Sequence, residues 1–292
     1  MTKISESAKK GIYLLPNLFT TGALFAGYYS IIAGINGKFE IASIAIFIAA
    51  LLDGLDGRVA RLTNTESAFG EQYDSLSDLI SFGLAPSLLM YNWSLHSLGN
   101  LHPIMGKIGW LVAFIYAVSG ALRLARFNVQ IGNVDKAYFQ GLPSPAAAAL
   151  ISAFVWVAVD HGFTGESLRF VVLGVTLFAG LLMVSRFRYY SFKTLPFKET
   201  VPFVWILLLV FVFVLLTLAP AKVLFVVFTL YSISGVLMTL YSLKKKRGLK
   251  IKDKKSETKP NTATEAQTKT KPKVTKKKVR KSKTSKKDSE EK

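Results

Sequence analysis

Apolar runs long enough to cross a lipid bilayer recur along this 292-residue chain as far as residue 243. A helix needs about 17–25 mostly apolar residues to span the hydrocarbon core of a membrane. Eight runs meet that length: 15–35, 40–60, 74–92, 107–128, 144–160, 167–185, 200–219 and 221–243. They predict an all-α, polytopic integral membrane protein.

Positive charge is unevenly distributed between these runs. With eight spans both termini lie on one side of the membrane, and the segments on that side carry 12 Lys and Arg residues before residue 244, against four on the other side. Lysine and arginine are enriched in cytoplasmic segments. We therefore expect a multi-pass protein of the cell or inner membrane with both termini in the cytoplasm.

The C-terminal segment, residues 244–292, holds most of the net charge. It carries 21 Lys and Arg residues against six Asp and Glu, which gives 15 of the 19 net positive charges. Because it has no aromatic and few aliphatic residues, it cannot bury enough apolar surface to fold. We expect a disordered, Lys-rich cytoplasmic tail that either aids solubility and orientation or binds anionic lipid. No nucleic-acid-binding signature accompanies it, so no specific nucleic acid is expected.

A charged stretch, DGLDGRVARLTNTESAFGEQYDSLSD, lies at residues 53–78, where the second and third apolar runs approach each other. Its spacing is Asp53-x2-Asp56-Gly57-x2-Ala60-Arg61-x8-Gly70-x3-Asp74-x3-Asp78. At 100° per residue, the named positions from Asp53 to Arg61 share one face of a helix. Asp74 and Asp78, four residues apart, share one face of the next helix. The charge distribution places this stretch on the cytoplasmic side.

Four carboxylates that converge at the edge of a membrane repel one another unless cations lie between them, and two arginines are too few. The stretch has no histidine and the chain no cysteine, so Mg²⁺ or Mn²⁺ with oxygen ligands fits better than zinc. Two ions about 3.5–4 Å apart, bridged by Asp53 and Asp74, would form the clamp used in displacement at phosphorus. A single acid could instead pair with an arginine and fix two helices, but acids at membrane depth are functional by default.

The motif matches the signature D-x2-D-G-x2-A-R-x8-G-x3-D-x3-D at every fixed position, and the chain thereby resembles the CDP-alcohol phosphotransferase family. The resemblance implies a membrane-embedded enzyme, usually a homodimer with six core helices. Such an enzyme moves a substituted phosphoryl group from a CDP-linked donor to an alcohol and releases CMP. The expected organisation is a cytoplasmic N-terminal segment (1–14), a catalytic transmembrane core (15–190), an additional transmembrane helix pair (191–243) and the tail (244–292).

The resemblance also implies roles for the acids. Asp53, Asp56 and Asp74 resemble the ligands of one metal ion, and Asp53, Asp74 and Asp78 resemble those of a second. Asp78 also resembles the catalytic general base, which takes the proton of the attacking hydroxyl.

Small and cationic residues are expected to contact the CDP group. Gly57, Ala60 and Gly70 resemble the positions that approach the cytidine closely, and Arg61 resembles the cation that faces the diphosphate. Asn17, in LLPNLFTTG at the start of the first span, is a further candidate for nucleotide binding, or alternatively a helix N-cap.

Three other stretches, PNLFTTGALFAGYYSI, GALRLARFNVQ and FQGLPSPAAAA, resemble the phosphatidylserine synthase branch of the family, whose donor is CDP-diacylglycerol and whose acceptor is L-serine. Arginine suits the recognition of a carboxylate, so Arg123 and Arg126, with Asn128 nearby, are the predicted serine contacts. Arginines at a helix end can also simply extend to the membrane surface. Glycerol-3-phosphate or inositol is the alternative acceptor. A cation-coupled transporter is a remote alternative, because the acid motif occurs once rather than in two related halves.

Overall fold

The computed structural model describes residues 6–130, 138–190 and 203–257. This described part contains nine α-helices: α1 (Glu6–Ile35), α2 (Phe39–Thr63), α3 (Ala68–Asp78), α4 (Ala85–Trp93), α5 (Pro103–Gln130), α6 (Ser144–Asp160), α7 (Arg169–Val184), α8 (Phe203–Leu218) and α9 (Pro220–Glu257). A π-helical turn, Leu79–Leu84, joins α3 to α4, and a 3-10 helix, Leu95–Asn100, follows α4. The predicted helical fold class is confirmed.

One short antiparallel strand pair was not predicted. Strands β1 (Tyr138–Gln140) and β2 (Arg188–Tyr190) pair with Tyr138 opposite Tyr190 and Gln140 opposite Arg188. They lie in the connections that follow α5 and α7. Three residues per strand are too few to leave a periodic pattern in the sequence.

Within the described ranges, three helical segments are long and apolar enough to cross a membrane: Leu15–Ile35, Pro103–Val129 and Pro220–Tyr241. Helices α6, α7 and α8 are also apolar but shorter, with 16 or 17 residues each. In α8 the described side chains from Phe203 to Val214 are all exposed and apolar, as expected for a helix that faces lipid rather than water. The integral membrane character is therefore confirmed, while the number of eight spans remains a prediction.

The chain divides into two compact units, Met1–Lys244 and Lys245–Lys292. Of the second unit, the structure describes the residues up to Glu257, and they are helical. The sequence predicted disorder from residue 244, whereas α9 as described runs on to Glu257; Lys and Arg are good helix formers, and a helix that has already formed extends at little cost. Residues 258–292 of the predicted tail lie outside the described residues.

Small side chains bring α1 and α2 together. Six alanines are among the buried residues of this pair: Ala23, Ala26, Ala33, Ala42, Ala45 and Ala49. The Ser30 hydroxyl of α1 donates to the Ala42 carbonyl of α2 at 2.7 Å. Small residues let the backbones of membrane helices approach closely. The close contact aligns the first helix with the motif-bearing half of the second.

The π-helical turn interrupts the predicted third span directly after Asp78. The fully buried Tyr116 of α5 donates its hydroxyl to the Phe82 carbonyl at 3.2 Å, and the Ser81 hydroxyl donates to the Ala23 carbonyl at 3.1 Å. On the α1 side, a β-carbon on Gly27 would overlap Ser81. Such turns are rare and often occur at functional sites. Contacts from two helices thus fix the turn, and with it the direction of α3.

Candidate active site

The four motif aspartates converge from two helices. Asp53 and Asp56 lie on α2, and Asp74 and Asp78 lie on α3. One carboxylate oxygen from each of Asp53, Asp56 and Asp74 can be chosen so that all three lie within 4.8 Å of one another. The Asp53 carboxylate is also within hydrogen-bond reach of Asp78. Asp56 is buried and the other three are half-buried, so the cluster forms one partly enclosed acidic site.

The link between α2 and α3 makes this convergence possible. Asn64 ends α2 in the left-handed conformation, with φ at 53°, which is a common way to end a helix. Three residues later, Ser67 caps α3, and its side-chain oxygen accepts a 3.0 Å hydrogen bond from the Gly70 backbone. The chain therefore reverses within a few residues, and the acidic faces of the two helices meet.

Helix α1 supplies a third wall. The Thr20 hydroxyl donates to Oδ2 of Asp56 at 2.7 Å, and the Ser77 hydroxyl of α3 donates to the Thr20 carbonyl at 3.2 Å. Thr20 is buried. Sequence reasoning missed this residue, although its position three residues after Asn17 puts it on nearly the same face of α1.

The donor atoms of the cluster fit hard divalent cations. Oδ1 of Asp74 and Oδ1 of Asp78 are buried and have no hydrogen-bond partner among the described residues. Buried carboxylate oxygens without partners are costly unless a cation or a donor satisfies them. All candidate ligands are carboxylate oxygens, which Mg²⁺, Mn²⁺ and Ca²⁺ prefer. Asp53, Asp56, Asp74 and Asp78 are the residues that would hold such ions.

A cavity of about 210 Å³ lies beside the acids, with Asp56 and Asp74 in its lining. It is also lined by every residue that was predicted to contact the CDP group: Asn17, Gly57, Ala60, Arg61 and Gly70. Because Asn17 lies well inside α1, the alternative that it caps a helix is wrong.

The two glycines of the cavity differ in their surroundings. A β-carbon on Gly57 would meet no atom within 4 Å, whereas one on Gly70 would lie 3.2 Å from Ser67 Oγ and 3.5 Å from the Asn17 side-chain oxygen. Gly57 therefore keeps space open in the cavity, and Gly70 allows α1 and α3 to approach each other.

The two arginines predicted to contact the acceptor have different environments. Arg123 is 9% exposed, and its NH1 donates to Ser144 Oγ of α6 at 2.8 Å. Its Nε is buried and has no partner among the described residues. Arg123 also interacts electrostatically with Asp78. One guanidinium thus lies within electrostatic range of the predicted general base.

Arg126 instead holds backbone. Its NH2 donates to the carbonyls of Gln140, at 2.8 Å, and Met183, at 3.3 Å, and its NH1 donates to the Val184 carbonyl at 3.1 Å. These contacts tie α5 to the strand pair and to the end of α7. Asn128, the third predicted contact, donates to Ser75 Oγ of α3 at 3.0 Å. Both residues therefore connect elements around the site.

Comparison with known proteins identifies the family of this chain. The model of the CDP-alcohol phosphatidyltransferase family matches residues 13–183, which include all four aspartates, the cavity and both arginines. The chain belongs to this family. CDP-alcohol phosphatidyltransferases generally depend on divalent metal ions, in agreement with the donor atoms of the cluster.

Curated members of the family are similar over most of their length. CDP-diacylglycerol–serine O-phosphatidyltransferases from two Helicobacter pylori strains are 38% identical over 234 residues, 80% of this chain and 94% of theirs. The Mycobacterium leprae protein of the same name is 30% identical over 75% of this chain and 72% of its own. The archaetidylserine synthase of Methanothermobacter thermautotrophicus is 38% identical over 60% of this chain and 69% of its own.

The family model does not cover the last two described helices, but the longer alignments do reach them. An alignment that covers 80% of this chain extends past Tyr231 in α9 wherever it begins. The similarity of this CDP-alcohol phosphatidyltransferase to its relatives is therefore not confined to the first seven helices.

Proposed function

We propose that this enzyme transfers the phosphatidyl group of CDP-diacylglycerol to the hydroxyl of L-serine and thereby produces phosphatidylserine and CMP. The observation that carries the proposal is a buried arginine, Arg123, within electrostatic range of Asp78, together with an acidic cluster that adjoins a cavity lined by the motif residues. This arrangement offers a cation for the serine carboxylate next to a base for the serine hydroxyl.

The names of the relatives support serine as the acceptor. The bacterial relatives are named for CDP-diacylglycerol and serine, and the archaeal relative is named for archaetidylserine. The names differ in the lipid part and agree in serine. We accordingly assign serine as the acceptor, with diacylglycerol as the lipid part of the donor.

The proposed reaction assigns one role to each part of the site. Arg123 binds the serine carboxylate, because a guanidinium matches its two oxygens. Asp78 accepts the hydroxyl proton at Oδ1, which has no other partner among the described residues. The serine oxygen then bonds to the phosphatidyl phosphorus as the bond from that phosphorus to CMP breaks. CMP leaves with the bonding electrons.

The cavity residues hold the leaving group. Arg61 faces the diphosphate, and Asn17, Gly57, Ala60 and Gly70 enclose the cytidine. Two Mg²⁺ or Mn²⁺ ions, held by Asp53, Asp56, Asp74 and Asp78, supply charge neutralisation for the diphosphate when bound.

The proposal also covers the membrane orientation of the enzyme and its partners. The active site and both termini face the cytoplasm, as the Lys and Arg distribution indicates. We further propose a homodimer, as is usual in the family, and a basic C-terminal segment that binds anionic lipid.

Purified enzyme in detergent, supplied with CDP-diacylglycerol, labelled serine and Mg²⁺ or Mn²⁺, is expected to form labelled phosphatidylserine and an equal amount of CMP. Chelation of the metal with EDTA should abolish both products. Parallel reactions replace serine with labelled glycerol-3-phosphate or inositol. A lipid product from one of these alone would contradict serine as the acceptor.

A further inference from the structure

The π-helical turn between α3 and α4 shifts the rotation of one helix relative to the other by one residue. Leu76 of α3 and Leu84, the last residue of the turn, are both exposed, by 62% and 39%. In a regular α-helix the residue in line with Leu84 would be Ser77, because seven residues complete nearly two turns. Ser77 is instead 2% exposed. The turn accommodates the extra residue, since the Ala85 backbone N–H donates to the Ile80 carbonyl, five residues back.

This shift determines which residues of α3 face the aspartates of α2. One residue corresponds to about 100° around a helix axis. If the turn became regular α-helix while α4 kept its packing, Asp78 would take the direction that Ser77 has now. The Ser77 hydroxyl donates to the Thr20 carbonyl, so that direction faces α1. Asp74, one turn earlier, would rotate in the same way and leave the cluster in which its oxygen lies within 4.8 Å of those of the α2 aspartates.

The sequence explains why the helix departs from α geometry at this point. In a regular helix the Phe82 carbonyl would accept a hydrogen bond from the backbone four residues later, which is Pro86 and has no N–H. A proline ring in a helix also clashes with that carbonyl. The Tyr116 hydroxyl of α5 donates to the Phe82 carbonyl at 3.2 Å, and Tyr116 is fully buried. A side chain of α5 thus supplies the bond that Pro86 cannot.

The turn lies against two helices, α5 and α1. A β-carbon on Gly120 of α5, one turn after Tyr116, would lie 3.4 Å from the Cα of Gly83. On the other side, the Ser81 hydroxyl donates to the Ala23 carbonyl of α1 at 3.1 Å. Two side-chain hydroxyls therefore hold the turn, one from α5 and one from the turn itself.

We propose that Tyr116 is a positioning residue for the metal-binding acids. Its hydroxyl holds the π-helical turn, and the turn sets the rotation of α3 at which Asp74 and Asp78 face Asp53 and Asp56. This inference rests on the proposed function, in which these four acids hold the metal ions. It gives a role in the metal site to α5, a helix that carries none of the four acids.

The first test compares two fully buried tyrosines whose hydroxyls each donate to a backbone carbonyl. Tyr116→Phe removes the bond to the turn. Tyr189→Phe is the matched control, because it removes a 3.0 Å bond from β2 to the Ser232 carbonyl of α9. In calorimetric titrations of the purified enzyme with Mn²⁺ alone, the Kd should rise about tenfold in Tyr116→Phe and stay within about twofold of wild type in Tyr189→Phe. An unchanged Kd in Tyr116→Phe, or an equal rise in both variants, would overturn the proposal.

A second pair of variants tests the turn through its other hydroxyl. Ser81→Ala removes the bond to α1 and should also raise the Mn²⁺ Kd, by roughly threefold or more. Ser30→Ala is the control, because it removes a 2.7 Å bond of the same kind, from α1 to the Ala42 carbonyl near the start of α2. Melting temperatures in detergent are measured for all four variants. A rise in Kd that simply follows the loss of stability, in controls and test variants alike, would contradict positioning.

Binding of Mn²⁺ does not require serine, so this inference and the proposed function fail separately. Wild-type enzyme that binds Mn²⁺, together with a Tyr116→Phe variant that binds it equally tightly, contradicts only the role of Tyr116. Wild-type enzyme that forms no phosphatidylserine contradicts the proposed function, and the Mn²⁺ titrations still decide the role of Tyr116.

Discussion

The Thr20 hydroxyl of α1 donates a 2.7 Å hydrogen bond to Oδ2 of Asp56 in α2. Its backbone carbonyl accepts a hydrogen bond from Ser77 of α3. One residue of the first helix therefore contacts both helices that carry the acids. A helix that contributes no carboxylate to the cluster thus holds one of its acids, Asp56, by a hydrogen bond.

Replacement of Thr20 with valine removes the donor to Asp56 and keeps the shape of the side chain. Loss of a residue that orients a metal ligand typically lowers metal affinity about 10–100-fold. The Mg²⁺ or Mn²⁺ concentration that gives half-maximal CMP release is expected to rise by about tenfold or more. Thr176→Val in α7 is the control, since the buried Thr176 hydroxyl donates to the Val172 carbonyl away from the cluster. Equal shifts in both variants would contradict a role for Thr20 in orienting Asp56.

Replacement of Asp78 with asparagine removes the base and keeps the size of the side chain. Turnover is expected to fall by roughly 10²–10⁴-fold, measured as phosphatidylserine formed per enzyme. CMP binding, followed by calorimetry with metal present, should be largely retained, because the cavity lies nearer Asp56 and Asp74. Asp160→Asn, at the end of α6, is a matched substitution outside the site. Near-normal turnover in Asp78→Asn would rule out the assignment of the base.

The two arginines are expected to respond differently to replacement with alanine. Arg123→Ala should raise the KM for serine by about 10–100-fold, the usual effect of losing a hydrogen bond to a charged group. Arg126→Ala loses its bonds to three carbonyls, so the free energy of unfolding should fall by about 1–3 kcal/mol. Steady-state kinetics and thermal unfolding in detergent measure the two effects. A higher KM for serine in Arg126→Ala, together with a lower stability in Arg123→Ala, would contradict this assignment of roles.

Glycine-to-alanine substitutions at Gly57 and Gly27 should change stability in opposite directions. Gly57→Ala places a methyl group in open space within α2, so helix stability should rise by up to about 1 kcal/mol while CMP binding weakens. Gly27→Ala overlaps Ser81 and should lower stability by about 1–3 kcal/mol. Melting temperatures and calorimetric CMP affinities distinguish the cases. Stabilisation by Gly27→Ala would contradict the close packing at the π-helical turn.

The arrangement of the acids was predictable, because the spacing of residues in a helix determines which of them share a face. At 100° per residue, Asp53 and Asp56 share one helix face, and Asp74 and Asp78 share a face of the next helix. Two acidic surfaces that could meet were therefore predictable. The residues that contact the CDP group were expected from the family resemblance, and Gly57, Ala60 and Arg61 also share the face of the first pair. Local rules therefore sufficed for the acidic cluster.

Contacts between distant segments were not predictable in this way. Arg123 and Arg126 are the same residue type, one turn apart, and only the packing of the strand pair against α5 gives them different partners. Ser144, which holds Arg123, is 21 positions away in the chain. The helical continuation to Glu257 was missed because composition was used without regard to the helix that precedes it.

The short reversal between Asn64 and Ser67 has a consequence for how the protein is made. All four acids lie within the 26 residues from Asp53 to Asp78, so their meeting needs only neighbouring helices and little loop-closure entropy. Arg123 and Ser144, which hydrogen bond to each other, lie further along the chain. During synthesis, the acidic cluster can therefore assemble soon after the third apolar run leaves the ribosome, before this arginine and its partner have been made.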